Sequence, residues 1–184
     1  MVSYNSGLPE AVIGLGLQAA TLTDYAVATT AYTLSSGLFV AVLVPLNAGQ
    51  QFSQLGCVLD TAGVTTSGVT EMSLFSRDGQ TRYDKTVDMT AAFGQTPPKA
   101  ITGALSLGQF TAPTTDLYYL CALTHFSGTA PKIIGSPLAS TTAAFAAINS
   151  RLPSITFSGQ ATTPTTFTPS SGSVNSAAYY LFAQ

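Results

Sequence analysis

Short runs of strand-forming residues, each ended by turn residues, restrict the fold of this chain more than any other feature. Residues 38–44 are rich in β-branched and aromatic side chains, and Pro45 and the Asn-Ala-Gly at 47–49 end the run. Further runs follow at roughly regular spacing, at 52–60, 70–76, 81–89, 105–110, 117–124, 132–136, 155–158 and 177–183. This series predicts an all-β fold, a two-sheet jelly-roll-like sandwich.

Recognisable turns join two pairs of these runs. The Arg-Asp-Gly-Gln at 77–80 is a tight turn, so residues 70–76 and 81–89 are predicted to form a hairpin. The Ala-Pro-Thr-Thr-Asp at 112–116 predicts a second pair between 105–110 and 117–124. We expect the run at 177–183 to pair inside a sheet, because an exposed apolar strand invites aggregation.

Two parts of the chain depart from the strand pattern. Residues 139–148 are rich in alanine and predict one short helix. Residues 1–30 have weak periodicity and predict an extended N-terminal arm that is ordered by lying on a neighbouring chain, with a loose terminus as the alternative. The sequence therefore divides into an N-terminal docking arm, 1–30, and a β-sandwich domain, 31–184.

The scarcity of charge predicts contacts with other chains. Only 8% of the 184 residues are charged, against roughly a quarter in an ordinary soluble domain. A surface so poor in lysine and glutamate is typical of subunit interfaces, so we expect a homo-oligomer. The formal net charge of -2, without a basic stripe, argues against nucleic-acid binding.

Residues 1–5 show no positively charged region followed by an apolar stretch, so no secretory signal is expected. The longest apolar run, residues 38–46, is too short for a membrane helix, and we expect no membrane insertion.

Side chains suited to catalysis are few. His125 is the one histidine and follows the run 117–124, a position typical of a hydrogen-bonded surface or interface residue. The sequence has no nucleophile elbow, phosphate loop, paired histidines or Cys-x-x-Cys. Cys57 and Cys121 lie inside apolar runs, where we expect buried free thiols, with a disulfide as the alternative.

Half of all charged residues lie on the hairpin 70–89. They are Glu71, Arg77, Asp78, Arg82, Asp84, Lys85 and Asp88. A calcium site, or a glycosidase pair that uses Asp84 or Asp88, is one interpretation; a solvated hairpin with cross-strand charge pairs is the other. The alternating signs favour the second. We therefore expect no catalytic, cofactor-binding or metal-binding residues, no cofactor, and no enzymatic activity.

Adjacent tyrosines offer the best candidate binding surface. Tyr118 and Tyr119 share one run, and Tyr179 and Tyr180 share another, so one ring of each pair is expected to face outward. An outward ring could stack on a glycan or contact a neighbouring subunit. The sequence leaves these two alternatives open.

Several segments between residues 32 and 150 carry a family resemblance. They are the strand 38–45, the Gln-Leu-Gly-Cys-Val-Leu at 54–59, the Ser-Leu-Phe-Ser-Arg-Asp-Gly at 73–79, the Phe-Thr-Ala-Pro at 110–113, the Leu-Tyr-Tyr-Leu-Cys-Ala-Leu at 117–123, the Ala-Pro-Lys-Ile-Ile-Gly at 130–135 and the alanine-rich piece that ends at 148–149. In this order they resemble the jelly-roll virion proteins of tailed phages of actinobacteria, found as capsid decoration or head-fibre proteins and as tail-fibre domains.

The resemblance implies a structural bacteriophage protein, located in the virion and assembled in the bacterial host cytoplasm. Its implied form is a trimeric capsid decoration (cement) or head-fibre protein that contacts the major capsid protein or a tail protein of the same particle. The alternative is a tail-fibre or tail-tip module that binds host-surface glycan, although such modules usually carry tryptophan, which this chain lacks. In a decoration or head-fibre protein, the arm 1–30 would dock on the capsid. The hairpin 70–89 would face solvent or an adjoining subunit.

Overall fold

The computed structural model describes residues 16–21, 30–63, 69–137, 154–175 and 177–184. Within these ranges an α-helical turn, α1 (Thr90–Phe93), and a 3-10 turn, Pro169–Ser171, accompany a series of short strands. The strands are β1 (Ala19–Ala20), β2 (Thr30–Thr33), β3 (Leu38–Leu46), β4 (Gln51–Phe52), β5 (Gln54–Thr61), β6 (Glu71–Ser76), β7 (Arg82–Lys85), β8 (Lys99–Ala104), β9 (Phe110–Thr111), β10 (Asp116–Thr124), β11 (Lys132–Pro137), β12 (Ser154–Phe157), β13 (Ser173–Asn175), β14 (Ala177–Tyr179) and β15 (Leu181–Ala183).

Two large antiparallel sheets contain most of the strands, and β4 and β9 form a third, two-stranded one; the arrangement confirms the predicted all-β sandwich. The first, here called the β10 sheet, has the order β13-β12-β3-β10-β6-β7. The second, the β5 sheet, has the order β1-β15-β5-β11-β14, with β8 paired to β5 and β2 paired to β11. Thr86 pairs with Leu105 just beyond β7 and β8, so the two sheets meet along that edge.

Apolar side chains occupy both faces of each sheet. The central core between the sheets includes Val42, Leu55, Leu74 and Leu120. The outer face of the β10 sheet carries Phe39, Ala41, Phe75, Tyr119, Cys121, Leu123 and Phe167. The outer face of the β5 sheet carries Leu17, Ala20, Val58, Ala178, Tyr180 and Phe182. Strands covered on both faces have nearly continuous apolar sequences, which accounts for the run in β3 and its partner β10.

The predicted hairpin is confirmed. Ser73 lies opposite Lys85 across β6 and β7, and the Ser76 and Thr81 backbones are joined by a 2.9 Å hydrogen bond across the turn. Gly79 makes this turn possible, because its φ of 72° lies in the left-handed region. Its carbonyl also accepts a hydrogen bond from the Phe167 N–H at 2.9 Å. The turn therefore anchors the loop that follows β12.

Replacing Gly79 by alanine should lower the free energy of unfolding by about 1–3 kcal/mol. A Cβ at this position would meet the left-handed backbone penalty and would lie 2.3 Å from the Phe167 carbonyl oxygen. Chemical denaturation measures the change. Gly49→Ala is the matched control, since Gly49 has a φ of 80° but no atom within 4 Å of the added methyl group. Equal losses in the two variants would mean that the contact with the loop contributes nothing.

The second predicted strand pair is wrong. β9 pairs with β4, where Phe110 lies opposite Phe52 with ring centroids 5.2 Å apart, while β10 lies between β3 and β6. The 105–108 segment is a turn held by distant groups, and one of them is the Lys85 carbonyl, which accepts from the Ser106 N–H at 2.8 Å. The partners of β9 and β10 are therefore strands that lie far from them in the sequence.

The C-terminal run is paired inside the β5 sheet as predicted, but as two strands. β14 pairs with β11, and β15 lies between β1 and β5. The predicted arm contributes to this sheet too, because Ala19 of β1 lies opposite Ala183 of the same chain and Thr30 begins β2. The rest of the arm up to residue 29, and the predicted helix 139–148, lie outside the described residues. In the described ranges no helix has the length and apolar character required to cross a membrane.

Candidate functional site

The hairpin that carries half of the charges was the first candidate for chemistry. Glu71 is buried, with 3% of its surface exposed, on the outer face of the β10 sheet. Its carboxylate accepts a hydrogen bond from the Lys85 ammonium at 2.8 Å, across β6 and β7. The cross-strand charge pair is as predicted, but the expectation that the hairpin is solvated is wrong at this position.

Asp84 is the second buried carboxylate, with 6% of its surface exposed. One oxygen accepts from the Ser106 hydroxyl and the Lys85 N–H, both at 2.7 Å, and the other accepts from the Leu107 N–H at 3.1 Å. Two of these donors belong to the turn between β8 and β9. Asp84 therefore fastens that turn to the hairpin.

Asp88 and Asp78 hold local structure as well. Partial burial raises the pKa of Asp88, but hydrogen bonds from Thr90 and from the Thr70 N–H outweigh it and hold the pKa below its ordinary value. At Asp78, hydrogen bonds from the Ser76 hydroxyl and the Gln80 N–H lower the carboxyl pKa. Asp88 contacts the first residue of α1, whereas Asp84 contacts the 105–108 turn, so the two carboxylates serve separate segments.

Asp88→Ala should destabilise the protein at neutral pH and lose its effect in acid. Because the folded-state pKa of Asp88 lies below the ordinary 3.8, its carboxylate stabilises the fold above that pH, and the stabilisation is lost as the pH falls through the folded value. The difference in free energy of unfolding between the parent and Asp88→Ala, about 0.5–2 kcal/mol at pH 7, should shrink toward pH 2. A difference independent of pH would contradict the charge-assisted role of Asp88.

His125 directly follows β10. Its backbone N–H donates to the Thr70 hydroxyl at 3.2 Å, and its half-buried ring keeps a buried Nε2 without a hydrogen-bond partner in the described part of the chain. This differs from the hydrogen-bonded side chain that its position predicts. Over the described ranges, no group of three or more histidine, cysteine, aspartate or glutamate side chains is placed to hold a metal ion.

Both cysteines are buried free thiols, as predicted. Cys57 belongs to the central core, and Cys121 belongs to the outer face of the β10 sheet. Burial raises the pKa of Cys57 to about 12 and raises that of Cys121 well above its ordinary value. A thiol must lose its proton to act as a nucleophile, so neither sulfur is suited to catalysis at neutral pH.

The tyrosine pairs were the candidate glycan platform. Tyr118 and Tyr179 face the central core, while Tyr119 and Tyr180 face outward, so the alternation is as predicted. All four residues are nevertheless buried, with at most 4% of their surface exposed. Stacking on a sugar requires an open ring face.

The Phe167 ring covers Tyr119. Sequence reasoning made no prediction for Phe167, which lies inside a Thr/Pro/Ser/Gly-rich loop. Its ring lies 5.0 to 5.5 Å from four aromatic neighbours: Phe75, Tyr119, Phe39 and Phe157. Arg82 fixes the same loop by donating to the Thr163 and Pro164 carbonyls at 3.2 and 3.0 Å. The signal available in the sequence was one large aromatic side chain in an otherwise polar stretch.

A groove of about 530 Å³ lies on the outer face of the β5 sheet. Val58, Tyr180 and Phe182 supply apolar walls, Leu17 lines it as well, and the exposed Lys99 adds a positive charge. It brings together β5, β8 and the segment that leads into β1. Sequence reasoning missed this groove, because its walls come from strands far apart in the chain.

No protein-family model matches the chain, and no curated protein matches its sequence.

Proposed function

We propose that this chain is a structural bacteriophage virion protein, a trimeric capsid decoration (cement) or head-fibre protein that stabilises the particle through subunit contacts. The observation that carries the proposal is the use of the hairpin carboxylates. Glu71 is paired with Lys85, Asp84 fastens a distant turn, and Asp88 holds the start of α1. These carboxylates hold the fold together, and this structural use supports a role in assembly.

The edge where the two sheets meet supports this proposal. Leu107 is 81% exposed although Asp84 holds its backbone, and Val87, 53% exposed, is fixed nearby by a hydrogen bond from its N–H to the Ala104 carbonyl. Large apolar side chains presented on rigid backbone are typical of protein interfaces. We assign Leu107 and Val87 to a contact between subunits, here called the junction patch.

Association in solution tests the junction patch. The parent chain should have the mass of a trimer, and Leu107→Asp should dissociate it, because a carboxylate buried in an interface without a partner costs several kcal/mol. Native mass spectrometry and light scattering measure the change, and circular dichroism checks the fold. Val174→Asp is the matched control, since Val174 is 70% exposed on β13, at the other end of the β10 sheet from β7. A stable monomeric parent would refute the trimer, and a Leu107→Asp variant that stays trimeric would refute the patch.

Binding to the particle tests the arm. A deletion of residues 1–15 is the suitable variant, because β1 belongs to the β5 sheet and a deletion through residue 30 would remove it. The shortened chain should keep its fold and lose binding to particles that lack this protein, as measured by co-sedimentation. Unimpaired binding would show that the arm makes no docking contact.

A further inference from the structure

The turn between β6 and β7 contains Asp78, the one aspartate in the sequence that is followed by glycine. An aspartate in this context can react with its own backbone, because the nitrogen of the next residue attacks the side-chain carboxyl carbon. Glycine favours the attack, since it has no side chain to block the approach. The pair Asp78–Gly79 therefore has the sequence chemistry of a self-modification site.

Water is the only other reactant in this chemistry. A bond forms between the Gly79 nitrogen and the Asp78 Cγ, the nitrogen gives up its proton, and one carboxyl oxygen leaves as water, which closes a succinimide ring. Water then opens the ring at either carbonyl. Opening at the main-chain carbonyl gives isoaspartate, whose backbone runs through the side-chain carbon and is longer by that atom.

Both reacting groups are held by hydrogen bonds in the folded turn. The Gly79 N–H donates to the Ser76 carbonyl at 2.9 Å. Oδ1 of Asp78 accepts from the Ser76 hydroxyl at 2.6 Å and from the Gln80 N–H at 3.0 Å. These bonds to the carboxylate also hold the pKa of Asp78 below its ordinary value, and a carboxylate loses an oxygen less readily than the neutral acid does. The folded turn therefore opposes ring closure.

We propose that Asp78–Gly79 is a site of spontaneous isomerisation to isoaspartate, suppressed by the folded turn and released when the turn opens. A turn opens locally at a lower free-energy cost than a sheet unfolds, so the reaction proceeds from such openings. The proposal rests on the turn alone and does not depend on the proposed virion function.

Isomerisation would loosen the loop that covers the outer face of the β10 sheet. The Gly79 carbonyl accepts from the Phe167 N–H at 2.9 Å, and the Gln80 side chain donates to the Phe167 carbonyl at 3.1 Å. The contact is close, since a Cβ added at Gly79 would lie 2.3 Å from the Phe167 carbonyl oxygen. A backbone lengthened at residue 78 displaces both hydrogen-bonding groups, and the modified turn therefore releases Phe167.

Ageing of the parent chain in buffer and in denaturant tests the site. Peptide mapping at intervals should find that isoaspartate at residue 78 forms several-fold faster in the denatured chain than in the folded one. Asp116, which is followed by leucine, is the internal control and should react more slowly than Asp78 in the denatured chain. Equal rates at Asp78 in the folded and denatured chains, or no isoaspartate at residue 78 in the denatured chain, would overturn the proposal.

Ser76→Ala tests the protection by the turn. The change removes the hydroxyl that donates to Asp78, so the folded variant should form isoaspartate several-fold faster than the folded parent. Circular dichroism checks that the variant is folded. A rate equal to that of the parent would overturn the protection assigned to the Asp78 hydrogen bonds.

Hydrogen exchange measures the effect on the loop. In isomerised chain separated by chromatography, the Phe167 amide should exchange several-fold faster than in the parent. The Ser53 amide, which donates to the Gln184 carbonyl at the edge of the β5 sheet, is the control and should keep the parent rate. Unchanged exchange at Phe167 would overturn the link between the turn and the loop. None of these measurements involves the junction patch, so their failure is distinguishable from failure of the proposed function.

Discussion

Phe167→Ala is expected to lower the free energy of unfolding by about 3–5 kcal/mol, the usual loss when a large aromatic ring is removed from a packed interior. The ring closes the outer face of the β10 sheet and lies 5.0 Å from Phe75 and 5.2 Å from Tyr119. Its removal would leave these apolar side chains facing water. Denaturant titration measures the loss.

Two further results would show that the loss arises from this cover. Phe126→Ala is the control, because Phe126 is a half-buried phenylalanine. It should lower the free energy of unfolding by less than half as much as Phe167→Ala. The Cys121 thiol belongs to the same apolar cluster, so thiol labelling of the folded variant should be faster than labelling of the parent. Parent-like stability, or labelling at the parent rate, would contradict the role of Phe167 as a cover.

Asp84→Ala is expected to lower the free energy of unfolding by about 3–5 kcal/mol. The Ser106 hydroxyl and the N–H groups of Lys85 and Leu107 would lose their shared acceptor at a site with little access to water. Thermal and denaturant unfolding measure the loss.

The same change should weaken association, because the turn that presents Leu107 would no longer be held. Asp84→Asn retains one acceptor oxygen, so its free energy of unfolding and its association should lie between those of the parent and of Asp84→Ala. Asp116→Ala removes an exposed carboxylate paired with Arg77 at 3.8 Å and should cost at most about 0.5 kcal/mol. Equal losses of stability in Asp84→Ala and Asp116→Ala would contradict the conclusion that Asp84 is a buried anchor of the 105–108 turn.

Local pattern was sufficient to predict much of the fold. The hairpin of β6 and β7 follows from its turn residues, and β3 and β10 follow from dense runs of β-branched and aromatic side chains. β8 escaped prediction because Lys-Ala-Ile-Thr-Gly-Ala contains one large apolar side chain, and its strand state depends on pairing with β5 some forty residues earlier in the chain. Propensity carries no information about such distant partners.

The candidate site was harder to predict, for the same physical reason. Charged residues are exposed by default, so nothing local marks Asp84 as buried; its burial depends on the turn at 105–108. The alternation rule placed Tyr119 on the outer face correctly. It could not reveal that Phe167, nearly fifty residues later, covers that face.

The position of β15 has a consequence for the order in which the chain folds. Residues 181–183 lie between β1 and β5, so the β5 sheet cannot form completely until this last strand has left the ribosome. A sheet that joins its first and last strands has a high contact order, and such topologies fold slowly. Until then the strands made earlier keep apolar surface uncovered, and such surface makes a folding intermediate prone to aggregation.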